Sequence, residues 1–184
     1  YLEQNPDCGV CYCKIYHFFE KDSERLFYFK LPHPSGYLFE ELLNGNFINP
    51  LSVVLRKDLL DMFGSFPIEL KFGEDQYLWL KLAYNQVRFD YLDQPLAHYR
   101  VRYQSLTNQA AYLTESGTSS LRLIELVKSL MTEEEIQKVD FNYLTNRCLR
   151  KIKIGRIVAG RGIFSKLLAW LYKSYRYWRM KKVS

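Results

Sequence analysis

The residues of this chain best suited to proton chemistry are two adjacent acids, Glu74 and Asp75, in "FGEDQYLWLKLAYNQ", 72–86. They follow Gly73 and open a run whose apolar content is Tyr77, Leu78, Leu80, Leu82 and Ala83, with Lys81 and Asn85 on the polar side. A carboxylate acts as a general base when it lies within about 2.6–3.2 Å of the proton it takes. The same acids also suit a helix start. Asp is a favoured N-cap, and first-turn acids gain roughly 0.3–1 kcal/mol from the helix dipole. The two roles are compatible, because a helix N-terminus holds a carboxylate firmly and keeps it charged. The pattern predicts a helix over 75–84.

The cysteines offer a second chemistry. Cys8, Cys11 and Cys13 crowd into "CGVCYCK", and Cys148 stands alone. Cys8 and Cys11 have Cys-x-x-Cys spacing, but a structural zinc site needs four ligands and no second pair follows. His17 and His33 are isolated candidates. The competing reading is a buried strand over 8–16, with Val10, Tyr12, Ile15 and Tyr16, in which free cysteines act as small hydrophobes. No metal ligand is assigned within this chain. Reduced cysteines suit a cytoplasmic setting.

Positioning these side chains takes a mixed set of elements. Strands are predicted over 8–19, 25–31, 52–56, 87–92 and 96–101, with turns at 32–36 and 93–95. Short helices are predicted over 39–43 and 57–63. After about residue 108 the pattern turns helical. Leu123, Ile124, Val127, Leu130 and Met131 mark one face, and 132–135, "TEEE", forms a capping box. "GRIVAGRG", 155–162, interrupts the helices. A last one is predicted over 163–180, striped by Phe164, Leu167, Leu168, Leu171, Tyr175 and Trp178. The expectation is an α/β body over 1–108 with a basic helical extension over 109–184.

The 184 residues are 48% hydrophobic and 25% charged, enough for one core of domain size and unlike a disordered composition. No apolar run is long enough to span a bilayer. "YLEQNP" reads as the last turn of a helix, so upstream sequence is expected. Charge is unevenly placed: 141–184 holds 12 Lys and Arg and no acid, whereas the rest holds 14 basic and 20 acidic residues. The end of the chain therefore suits an anionic partner. The apolar stripe of 163–180 favours docking on an anionic membrane surface through 163–182, peripheral on the cytoplasmic face. Packing on the body is the competing account, and nucleic acid is disfavoured.

Four segments in order, "NPDCGVCYCKIY", "GYLFEELLNGNFINPLSVVLRKDLLDMFGSF", "FGEDQYLWLKLA" and "VRFDYLDQPLAHYRVRYQSLTN", resemble the C-terminal half of a family 2 glycosyltransferase of the GT-A fold. The resemblance covers about 1–108. It implies a mixed, mainly parallel sheet with helices on both faces. It also implies inverting transfer of a sugar from a nucleotide-diphosphate donor to an acceptor hydroxyl, in a saccharide or lipid-linked precursor. The nucleotide-binding half and its Asp-x-Asp motif, which mainly holds Mn2+ or Mg2+, are expected before Tyr1. In the family the aspartate of the Glu-Asp pair is the base. Asp75 matches it, and Glu74 would help shape the acceptor site. Arg102 stands where the family often has a metal-binding histidine, two residues past the pair matched by Tyr99 and Arg100. Arg100 and Arg102 would face diphosphate charge, Trp79 would stack on sugar or pack the core, and His98 would line the site or satisfy itself within a strand. The alternatives are a non-catalytic fragment and a basic membrane- or nucleic-acid-binding module.

Overall fold

A computed structural model of the chain describes residues 1–19, 22–27, 33–102, 105, 111–160, 167, 170–172 and 174. Among the described residues, four strands and six α-helices of defined extent make a mixed α/β fold: β1 (Cys8–Phe19), β2 (Asp22–Phe27), α1 (Phe39–Asn44), β3 (Val53–Leu55), α2 (Lys57–Phe63), α3 (Glu74–Tyr84), β4 (Arg88–Val101), α4 (Tyr112–Lys128), α5 (Glu133–Lys138) and α6 (Phe141–Val158). β1 is the spine. β4 pairs with it in parallel along one edge, and β3 and β2 pair antiparallel with it. One of three pairings is parallel, so a mainly parallel sheet is not seen among the described residues.

The parallel pair requires a crossover, which contains α3. This helix was read as amphipathic. Instead Tyr77, Leu78, Trp79, Leu80, Leu82 and Ala83 are all buried, so it is hydrophobic on nearly every side, as a core helix is. They join Val10, Tyr12 and Phe89 of the sheet and Leu123, Ile124, Val127, Phe141 and Leu144 in one cluster. The division after residue 108 therefore separates chain segments, not hydrophobic cores.

The strands expected over 87–92 and 96–101 are one strand, β4. The expected turn is a bulged stretch: Cys13 faces Leu92, Lys14 faces Pro95 and Ile15 faces Ala97. A proline fits there because a bulge relieves it of a ladder N–H. β2 begins earlier than expected, at Asp22, and 28–32 lie outside the described residues. Residues 1–7 form turns, with Asn5 N–H donating to Tyr1 O at 3.0 Å. Arg56 fastens them to the sheet, donating to the carbonyls of Leu2, Asn5 and Cys8.

α6 also differs from expectation, running through Gly155 without interruption. A Cβ at Gly155 would stand 2.9 Å from Leu113 Cβ, and one at Gly117 would stand 2.7 Å from Ile152 Cγ1. Each glycine is the floor on which the opposite helix rests, so close packing of α4 on α6 outweighs glycine's poor helix propensity. The capping box forms as predicted, with Thr132 and Glu135 bonded reciprocally. The predicted 163–180 helix lies outside the described residues except for Leu167, Trp170, Leu171, Tyr172 and Ser174, which are helical. Among the described residues no helix is long and apolar enough to cross a membrane.

Gly155→Ala is expected to lower stability by about 1–3 kcal/mol through overpacking, although alanine gains up to about 1 kcal/mol in helix propensity. Urea unfolding followed by circular dichroism measures this, and an unchanged or raised midpoint would show that α4 and α6 do not meet closely at Gly155.

Candidate active site

The first turn of α3 carries this buried helix's two acids, Glu74 and Asp75. Gly73 is its N-cap, in the left-handed region at φ 80°, and its side gives no capping hydrogen bond. Asp75 is thus one residue inside the helix, not the cap. Its Oδ1 accepts from the Gln76 backbone N–H at 2.8 Å, and its Oδ2 accepts from Asn46 Nδ2 at 3.0 Å. The Asn46 amide is itself oriented, since its Oδ1 accepts from the Ile48 N–H at 3.1 Å.

The loop that presents Asn46 is anchored at the end of α1. Gln76 Nε2 donates to Leu42 O at 2.8 Å, and the Arg147 guanidinium donates to Asn44 O at 2.7 Å. These bonds satisfy carbonyls that a helix end leaves open. Gly45 and Asn46 follow directly, so α3 and α6 together fix where the amide meets Asp75.

Asp75 opens into a cleft of about 260 Å³ between this loop and β1, lined also by Tyr12, Lys14, His17, His33 and Phe47. Burial raises the Asp75 pKa above the usual carboxylate value. The Gln76 N–H opposes that shift, the Glu74 charge adds to it, and the Asn46 amide opposes it. His33 stacks on Tyr91, with ring centroids 4.4 Å apart and 22° between planes. Burial lowers the pKa values of His33 and His17, so both imidazoles are neutral at pH 7. Lys14 is paired with Asp93 at 2.6 Å. The cleft thus combines a hydrogen-bonded carboxylate, neutral imidazoles and amides. That chemistry can receive a hydroxyl-bearing ligand and remove a proton from it.

Not every predicted residue reaches this cleft. Glu74 is half-buried beside Asp75 but does not line it. Trp79 is 1% exposed and meets Phe66 edge-on, so the stacking role is corrected: its ring has no free face for a sugar. His98 stacks on Tyr16 at 5.8 Å, and Arg100 lies over the Phe18 ring at 5.8 Å, both on the outer part of the β1–β4 ladder. These two and the exposed Arg102 are not in the cleft wall. Asn46, Lys14 and His33 were not assigned to the site from sequence. The signal for Asn46 was "NGN", 44–46, a turn composition at the end of the helix predicted over 39–43.

The cysteines have no site chemistry. Cys8, Cys11 and Cys13 are buried and free, and burial, then the Asp90 charge, push the Cys8 thiol up to about 11. Among the described residues no group of three or more His, Cys, Asp and Glu could hold a metal ion. The resemblance puts the divalent cation mainly on residues outside this sequence, and none of the described residues is assigned to it. Compared with family models and with curated proteins, the chain finds no match in either.

Because the folded pKa of Asp75 is raised, its protonated form is favoured by folding. Stability from this group is complete below the ordinary carboxylate pKa and is lost as pH rises through the raised one. The Asp75→Asn variant lacks that loss. Denaturant unfolding at a series of pH values should move the stability difference in favour of the variant as pH rises through this window. A pH-independent difference would show that Asp75 is not desolvated.

Proposed function

We propose that the chain is the acceptor-side half of an inverting glycosyltransferase of the GT-A type, with Asp75 as its general base. One observation carries the reading: the aspartate singled out by the Glu-Asp motif is the carboxylate that opens into the cleft, clamped by Asn46 and the Gln76 N–H. In this reading an acceptor hydroxyl binds in the cleft beside Asp75. The carboxylate takes its proton as the oxygen attacks the anomeric carbon, and the nucleotide diphosphate leaves. The two hydrogen bonds hold the carboxylate in one orientation, which favours a near-attack geometry.

The donor, and the Mn2+ or Mg2+ that would accompany its diphosphate, would be held by residues outside this sequence. Arg100 and Arg102 would act on the diphosphate only if that bound half extends along the ladder to them. The acceptor would be a saccharide or a lipid-linked precursor presented at the cytoplasmic face of a membrane, with the cationic 163–182 segment nearby. A basic binding module remains the second reading, favoured by the absence of acids over 141–184.

In the protein carrying the nucleotide-binding half, Asp75→Asn is expected to lower turnover by about 10²–10⁴, the usual cost of losing a positioned base. Measured with saturating donor and acceptor, a loss of only a few-fold would remove Asp75 from the role. Asn46→Ala withdraws a bond that lowers the Asp75 pKa, so the acid limb of the turnover–pH profile should move to higher pH. An unmoved limb would show that Asn46 does not act through Asp75.

A further inference from the structure

Apart from Arg147, which reaches Asn44 O, the outer face of α6 is not used by the cleft or by the core. Phe141, Leu144, Ile152, Gly155 and Val158 are its buried side. On the other side, Tyr143, Arg147, Arg150, Ile154 and Ile157 follow at i, i+4, i+7, i+11 and i+14, so they share one stripe. Tyr143, Ile154 and Ile157 are 50%, 51% and 43% exposed. Lys153 and Leu149 flank the stripe, and both are exposed. The helix contains no Asp or Glu. Over its length of about 27 Å it presents solvent with apolar side chains interleaved with cations.

We propose that this face is a docking surface for an anionic lipid bilayer, with α6 lying flat in the headgroup layer. The inference does not rest on the transferase reading, and it places the contact in the folded body rather than only in 163–182. Charge selects the occupant. The chain's own 161–184 segment holds seven Lys and Arg and no acid, so laying it over α6 would set cations on cations. Leu167, Trp170 and Leu171 of that segment are themselves exposed. Residue type separates lipid from nucleic acid. Tyr143 is the one flat ring among the described residues of this stripe, whereas stacking platforms take successive bases on several. The branched aliphatics Leu149, Ile154 and Ile157 beside Arg and Lys suit the headgroup–acyl boundary, and a tyrosine suits it too.

The test uses the full chain and sedimentation with vesicles of phosphatidylcholine, with or without phosphatidylglycerol. The parent is expected to pellet with the anionic vesicles, less so as salt rises, and to stay in solution with phosphatidylcholine alone. The double variant Arg150→Glu, Lys153→Glu changes only exposed side chains and should weaken partition by more than about tenfold. Ile154→Ser with Ile157→Ser should weaken it without altering net charge. Both variants should melt like the parent by circular dichroism. Equal binding to neutral vesicles would overturn the proposal. So would parent-like partition of either α6 variant, or loss of binding only in Arg179→Glu, Lys181→Glu. Retention of a single-stranded oligonucleotide by a parent that ignores anionic vesicles would assign the face to nucleic acid instead.

Discussion

The burial of α3 is the constraint to which the neighbouring elements answer. Leu78, Trp79, Leu80, Leu82 and Ala83 are each at most 1% exposed, around more than half of the helix. At roughly 1.5–3 kcal/mol for each large apolar side chain removed from water, leaving this helix uncovered would be prohibitive for a domain of marginal stability. β1 and β4 cover it from one direction, α1 from another and α4 from a third, and their side chains meet in a single core. Side chains of α3 reach water along the narrow side that carries Lys81 and at its first turn, where Glu74 and Asp75 stand. The left-handed Gly73 lets the chain enter the helix beside Leu123 at that point.

The helical segments after residue 108 take part in the site through that core. α4 and α6 interlock at Gly117 and Gly155, and α6 then places Arg147 on the last carbonyl of α1. The next residues are Gly45 and Asn46, and Asn46 bonds Asp75. A displacement of α6 would therefore be felt at the carboxylate through one guanidinium, one turn and one amide, with no direct contact between α6 and Asp75.

Much of this was legible in sequence, for local reasons. β1, α1 and α2 follow from runs of apolar residues between Gly, Pro and Asn punctuation, and the Thr132 box from a motif whose bonds are all within one turn. The failures share a different cause. The continuity of β4 across Asp93, Gln94 and Pro95 depends on β1 lying alongside to accept a bulge. The passage of α6 through Gly155 depends on Thr114 of α4, 41 positions earlier in the chain. Trp79 offered an aromatic face that burial in the core and the Phe66 ring remove from solvent. Asp75 was found because a motif marked it, but its partner Asn46 is separated from it by 29 positions, and no local pattern pairs them.

The β1–β4 ladder runs from Cys8 against Arg88 to Phe19 against Val101, with register shifts after Cys8 and from Cys13 to Ile15, and it joins two unequal cores. Its inner end carries Val10, Tyr12 and Phe89 into the main cluster, while Phe19 and Val101 form a small cluster with Tyr99. The bulge at Cys13 to Ile15 lies between them. Cooperative units of a protein open at free energies set by how much each one buries, so this ladder has a strong end, a weak end and a natural stopping point. Ile15 and His17 of the cleft wall belong to the weak side, and Tyr12 to the strong side with the helix that holds Asp75. The wall that carries Ile15 and His17 is therefore expected to open at a lower free energy than the helix that holds the carboxylate opposite, like the hinged jaw of a vice against its fixed one.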